Sequence, residues 1–326
     1  MNSTINNLSM DSPFSSRFLA WMKERFPLIS HGILIVSYYS SNQFLAEVLT
    51  RPDERLLYTL GSLLGAITLL CIFFHLRVFD EHKDFQEDCR HYPDRVLQRG
   101  LISLKHLKIA GVIAIILELV CAACWMPTGK PAALVAVLVT LGFSLLMLKE
   151  FFVARWLKEH FLIYAMSHMM IMPLIAMVVF SFTTGEYFWN APGWFWLYAF
   201  VGFFVTLNWE ISRKIRSPDQ EIEGVDSYTQ ILGVRGAAHA VLVVRVIDTV
   251  LVAVVGWHLN ASGWFYVALI GLFCVCLTGY FKYLKDNNAK NAKRMETYAG
   301  MYIIAFDLIL AFELIRSHGV AFQWWH

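Results

Sequence analysis

Residues 57–79 read LYTLGSLLGAITLLCIFFHLRVF and lead directly into DEHKDFQED at 80–88. The first stretch carries one formal charge, Arg77, in 23 residues. As a helix rising 1.5 Å per residue it would span about 34 Å, enough to cross a hydrocarbon core of about 30 Å. Eight more apolar segments lie at 27–47, 106–126, 131–148, 161–182, 191–209, 236–258, 262–281 and 298–316. With 57% hydrophobic and 16% charged residues in a chain of 326, a soluble globular domain is excluded. Spanning segments must satisfy their own backbone groups, so the reading is an all-α, polytopic membrane bundle of about nine transmembrane helices. No linker or low-complexity tract interrupts it, which predicts a single transmembrane domain over 1–326.

The basic residues test that topology. With nine crossings, the side that holds the N-terminus receives 22 of the 27 Lys and Arg. The other side receives Arg51, Arg55, Lys130 and Arg316, and Arg245 falls inside the seventh segment. Cytoplasmic loops carry the excess of Lys and Arg. The N-terminus and the polar loops 80–104 and 210–235 are therefore expected in the cytoplasm, and the C-terminus on the opposite side. Trp189, Trp194, Trp196, Trp257, Trp264, Trp324 and Trp325 gather near the outer segment ends, as an interfacial belt does. Cys121, Cys124, Cys274 and Cys276 lie within apolar stretches and read as packing residues. The bilayer is the expected environment, and no nucleic-acid partner is expected.

The loop after the second segment carries the chemistry. Asp80, Asp84 and Asp88 recur every four residues, with Glu81 beside them, so on a continuing helix they share a face. Like charges at that spacing repel. The arrangement makes sense when a divalent cation bridges the carboxylates, since Mg²⁺ takes oxygen ligands and shares its shell with substrate phosphates. The alternative is a solvated acidic helix end neutralised by Arg77, Lys83 and Arg90. Further along, Arg90, Arg95 and Arg99 close on Gly100, and guanidinium forks suit phosphate oxygens.

These residues resemble the first aspartate-rich motif of the UbiA-type intramembrane prenyltransferases, N/D-D-x-x-D-x-x-x-D followed by R-P-x-x-x-G. Asp80 stands at the Asn/Asp position, Glu81 at the next Asp, and Asp84 and Asp88 at the last two, while Arg95 opens the stretch that ends at Gly100. The resemblance implies a Mg²⁺-dependent transfer of an isoprenyl group from a polyprenyl diphosphate to a lipophilic or aromatic acceptor. It implies Asp80, Asp84 and Asp88 as catalytic metal-binding residues, with Glu81 as a fourth metal ligand. Arg95, Arg99 and Lys149 would hold the diphosphate; the tyrosine usually four residues before that lysine is Leu145 here. Lys149 also reads as an interfacial lysine whose stem lies along the apolar surface.

The second polar loop departs from the family pattern. Where D-x-x-x-D is usual, Arg216 and Gln220 stand, with Arg213 and Lys214 just before and Asp219 and Glu221 nearby. Two arrangements remain open: Arg213, Lys214 and Arg216 hold the diphosphate directly, or Asp219 and Glu221 supply a second metal site. Tyr164 and His168 share a helical face and could line the cavity, or bond a neighbouring helix. Arg245 and Asp248 are expected to pair, whereas Glu118, Glu150, Asp307 and Glu313 have no evident local partner. Two other functions fit less fully. A terpene cyclase of the same family would use the same residues, its own prenyl double bond capturing the cation. A lipid-binding or transport bundle would place its charges near the midplane, whereas here they concentrate in loops.

Overall fold

The computed structural model describes residues 8–323, so Trp324 and Trp325 lie outside the described residues. After a first helix α1 (Phe14–Arg25) come α2 (Leu28–Thr50), α3 (Leu60–Lys83), the short α4 (Phe85–His91), α5 (Leu104–Cys124) and α6 (Ala132–Leu148). Next are α7 (Ala154–Glu159), α8 (Phe161–Met169), α9 (Ile171–Thr184), α10 (Gly193–Arg213), α11 (Tyr228–His258), α12 (Gly263–Lys285) and α13 (Ala289–His318). The chain is thus an all-α membrane bundle, and every one of the nine apolar segments folds as helix. Among the described residues, six stretches are long and apolar enough to cross a membrane: α3, α5, α8 with α9, α11, α12 and α13. The count of nine spans does not follow from length and apolarity alone, because α6 has 17 residues and α2 and α10 carry polar runs.

Local sequence sets the ends. Thr59 and Ser62 form a reciprocal cap at the start of α3, and Ser103 and His106 do the same for α5. Ser227 and Asn288 cap α11 and α13 through their side chains. The fifth apolar segment is broken at Met170, just before Pro173, whose missing N–H cannot continue the ladder. The seventh starts at Tyr228, eight residues before the expected boundary, and kinks at Gly233, where φ is 71°.

The helices close into a ring: α2 packs on α3, then α3 on α5, α6, α9, α10, α11, α12, α13 and back to α2 in sequence. In a bilayer no hydrophobic force draws helices together, so close packing and buried polar contacts hold the ring. A Cβ at Gly65 would lie 2.2 Å from the Tyr39 hydroxyl, so only glycine lets α2 and α3 approach this closely. The polar run of α2 is buried, and most of its side chains are partnered, although the amide oxygens of Asn42 and Gln43 are not. Ser41 donates to Asp307, which also accepts from the Tyr198 hydroxyl at 2.8 Å, and Tyr38 donates to the Met172 carbonyl at 3.1 Å. Arg245 pairs with Asp248 at 3.3 Å as expected, and also donates to Asn208 at 2.5 Å and lies over the Tyr302 ring. The residues with no evident local partner are resolved mostly by distant ones: Glu118 bonds His75 at 3.1 Å and Glu313 accepts from Ser262. Glu313 also pairs with Arg316, three residues on in α13 rather than free in a loop.

A two-stranded parallel pairing, β1 (Leu56–Tyr58) with β2 (Val320–Phe322), fixes the end of α13 beside the α2–α3 connection. This end of the bundle is opposite the one that holds the acidic motif, since α3 runs from Leu60 here to Lys83 there.

Candidate active site at the motif end

Helix α3 ends at Lys83 and α4 begins at Phe85, with Asp84 between them at φ −94°, ψ 3°. The ladder is therefore kinked rather than carried by one straight helix. Its register survives, because the Asp84 N–H still bonds the Asp80 carbonyl and the Asp88 N–H the Asp84 carbonyl, both at 2.9 Å.

The carboxylates meet different partners. Asp80 lies between Arg77 at 3.8 Å and Lys83 at 3.5 Å. Glu81, buried at 1% exposure, accepts from Arg25 at 2.5 Å. Asp88 accepts from Arg95 at 2.7 Å and has Arg25 at 3.8 Å. Asp84 alone of the four has no ion-pair partner among the described residues. Burial pushes its carboxyl up to about 6, opposed by Lys83 and reinforced by Asp80, Asp88 and Glu87. An uncompensated negative charge beside two more carboxylates is a place where a hard cation is stabilised.

The donor chemistry thus fits Mg²⁺ at Asp84, with Asp80 and Asp88 the neighbours able to share it. Glu81 accepts from Arg25 through one oxygen, and its other oxygen is buried without a partner among the described residues. No group of three His, Cys, Asp or Glu side chains converges closely enough to hold an ion among the described residues. Substrate phosphate oxygens would have to complete the shell, as Mg²⁺ commonly requires.

Lys83, read in the sequence only as a neutralising charge, is placed centrally. Its ammonium donates to the Tyr164 hydroxyl at 2.9 Å, and Tyr164 stacks on His168 with ring centroids 4.2 Å apart. Tyr164 and His168 thus stand together beside the acidic motif, His168 bonding the Tyr164 carbonyl through Nδ1. The sequence signal for Lys83 was its spacing of three from Asp80.

The second loop is brought against the first. Arg216 donates to the Tyr92 hydroxyl at 3.4 Å, and Tyr92 is covered by the Arg95 guanidinium at 3.8 Å. Arg213 and Lys214 both grip the buried Glu210, at 2.5 and 3.0 Å, and Lys214 lies over the Phe161 ring. Glu210 therefore orients two of the expected diphosphate-binding cations, a role foreshadowed by its i, i+3 and i, i+4 spacing to them. A cavity of about 480 Å³ opens here, lined by Tyr92, Arg213, Arg216, Asp219, Glu221 and Lys293 among others. One Glu221 oxygen accepts from Ser227 at 2.8 Å, and the other is buried without a partner. Asp219 is exposed in a short 3₁₀ turn. A second cavity of about 460 Å³, between α7–α8 and the start of α11, is walled by Phe161, Leu162, Ile163, Tyr228, Ile231 and Leu232.

Arg99 and Lys149 are not brought into this cluster. Arg99 donates to the Leu8 carbonyl at 2.9 Å. Lys149 is exposed at the end of α6, next to a turn in which Glu150, Phe151 and Phe152 all have positive φ.

Structural comparison finds a UbiA homolog from Aeropyrum pernix K1 in its apo form, with a TM-score of 0.65 and 14% identity. The match covers 88% of this chain and 98% of that one. A digeranylgeranylglyceryl phosphate synthase is similar with a TM-score of 0.58 and 18% identity, covering 92% of this chain and 99% of that one. At these identities the likeness concerns the fold. Comparison with curated protein sequences gives no match. The profile of the UbiA prenyltransferase family matches residues 45–304, which takes in both polar loops and most of the ring. The chain belongs to the UbiA prenyltransferase family.

Proposed function

We propose that this protein is a Mg²⁺-dependent intramembrane prenyltransferase that moves an isoprenyl group from a polyprenyl diphosphate to a lipophilic or aromatic acceptor. The observation that carries the reading is an under-neutralised Asp84 on a motif that the cation-rich second loop meets through Arg216 and Tyr92. Family membership supports prenyl transfer in general, and one structural neighbour is itself a digeranylgeranylglyceryl phosphate synthase.

The reaction breaks the allylic C–O bond heterolytically, and the electron pair leaves with the diphosphate. An electron pair of the acceptor forms the new bond to carbon, and the acceptor's proton goes to solvent or a base. Bound Mg²⁺ would supply positive charge to the departing diphosphate. The chain's own share is electrostatic and steric. Asp80, Asp84 and Asp88 would hold the ion. Arg213, Lys214 and Arg216, oriented by Glu210 and Tyr92, would meet phosphate oxygens, with Arg95 close by on Asp88. Phe161, Tyr164 and Tyr228 would shield the cation from water.

The motif end would face the cytoplasm. The deciding experiment incubates purified protein with Mg²⁺ and a panel of isoprenyl diphosphates, with and without aromatic and lipid acceptors, and identifies products by mass spectrometry. A prenylated acceptor is expected. A cyclised hydrocarbon formed without acceptor would replace transfer by cyclisation, and no turnover of any diphosphate would overturn both.

A further inference from the structure

A cavity of about 490 Å³ lies at the opposite end of the bundle, roughly 35 Å along α3 from the aspartates. Four pieces of chain build it: the end of α2, the start of α3, the connection after α5 and the end of α9. The walls are stitched together. The Trp125 indole donates to the Phe182 carbonyl at 2.7 Å, and a Cβ at Gly61 would strike its ring at 2.2 Å. Lys130 pairs with Glu186 at 2.6 Å.

The lining is rich in hydrogen-bond acceptors. The hydroxyls of Thr50, Thr128, Thr183 and Thr184 each donate their proton to a backbone carbonyl, of Ala46, Gly185, Val179 and Phe180 respectively. A hydroxyl that has given its proton has only lone pairs left to offer, and that of Thr184 already accepts from the Glu186 N–H at 3.2 Å. At the inner wall stand Gln43 and Glu47, 1% and 4% exposed. The Gln43 amide donates to Glu47 and to the Leu57 carbonyl, leaving its own oxygen buried with no partner. Glu47 also accepts from the Leu57 N–H at 2.9 Å, while its nearest cation, Arg51, is 3.9 Å away and shared with Glu54. A buried carboxylate without close charge compensation, an unmet amide oxygen and a ring of acceptor hydroxyls call for a cationic donor.

We infer that this cavity binds a protonated primary amine, with the ammonium held by Glu47, Gln43 and the threonine hydroxyls. A primary ammonium offers three donors and one positive charge, whereas a trimethylated ammonium offers no donor and more bulk. The amine could arrive as an aminophospholipid headgroup from the adjoining leaflet or as a free amine. In the first case Arg51, at the rim, is placed to meet the phosphodiester.

The test is thermal stability and equilibrium binding of the purified full chain in detergent. The probes are dihexanoyl phosphatidylethanolamine, dihexanoyl phosphatidylcholine and free ethanolamine. Saturable stabilisation by the ethanolamine lipid is expected, with the choline lipid at least tenfold weaker. Glu47→Gln should weaken binding about tenfold, and the rim variants Thr50→Val and Glu186→Gln several-fold. Arg51→Gln weakening only the lipid would assign a headgroup. Ethanolamine binding as tightly as the lipid, unaffected by Arg51→Gln, would assign a soluble amine. Equal binding of the choline and ethanolamine lipids, no saturable binding, or unchanged binding in both rim variants would overturn the inference.

Discussion

Asp84 shows how much one residue's surroundings decide. Its neighbours Glu81 and Asp88 have arginines within hydrogen-bond reach, whereas Asp84 has burial and like charge. Its folded-state value near 6 lies above the usual carboxyl value near 4, so folding favours the protonated form. That contribution is fully present below pH about 4 and is lost as pH rises through about 6. The metal-free protein should therefore melt at a lower temperature at pH 7 than at pH 5, and Mg²⁺ should reverse the loss. Asp84→Asn should flatten both the pH trend and the Mg²⁺ response in a melting experiment. Turnover by Asp84→Ala should fall by orders of magnitude, since a lost metal contact is worth several kcal/mol. A fully active Asp84→Ala protein would remove this carboxylate from the site.

The second loop gives a paired test at the same scale. If its cations meet the diphosphate, Arg216→Ala raises the KM for the isoprenyl diphosphate and Asp219→Ala leaves the Mg²⁺ requirement unchanged. The reverse result would move a second metal site to Asp219 and Glu221.

Among the elements, the link between α6 and α7 is the strained one. Glu150, Phe151 and Phe152 hold φ of 47°, 53° and 61°, and left-handed geometry costs non-glycine residues roughly 1 kcal/mol each. The turn presents Phe151 edge-on to His168, with centroids 5.7 Å apart, while Lys158 further on clasps Glu87 of α4 at 2.8 Å. Phe152 is 77% exposed, so Phe152→Gly removes strain with little lost packing and should stabilise the protein by about 1 kcal/mol. Phe151→Gly should not, because it also removes the contacts to His168 and Phe143. The close approach of α2 and α3 predicts the opposite response at Gly65. Gly65→Ala forces a Cβ into Tyr39 and should cost about 1–3 kcal/mol in a denaturation measurement.

For the whole molecule, the ring and the β1–β2 pairing put the C-terminal strand beside the α2–α3 connection and away from both motif loops. Combined with the 22-to-4 split of basic residues, this predicts the motif end in the cytoplasm. In a background with the other cysteines replaced, the exposed Cys89 should resist an impermeant thiol reagent added outside intact cells. Lys130→Cys, exposed near the opposite end, should react. Labelling of Cys89 alone would invert the orientation.

The apolar segments, their helical state and the acidic motif after the second of them were legible in the chain, because bilayer thickness and backbone hydrogen bonding leave little choice. Helix spacing likewise foretold the Arg245–Asp248 pair and the meeting of Tyr164 with His168. What the spacing could not reveal was which cation belongs to which carboxylate. Arg25 reaches Glu81 across 56 positions, and Arg216 reaches Tyr92 across 124. Those pairings depend on how the ring closes, and ring closure is set by packing between helices distant in sequence. For the same reason only the tertiary structure placed Arg99 on Leu8, left Asp84 without an ion-pair partner among the described residues, and gathered the acceptors of Gln43, Glu47 and four threonines around one cavity.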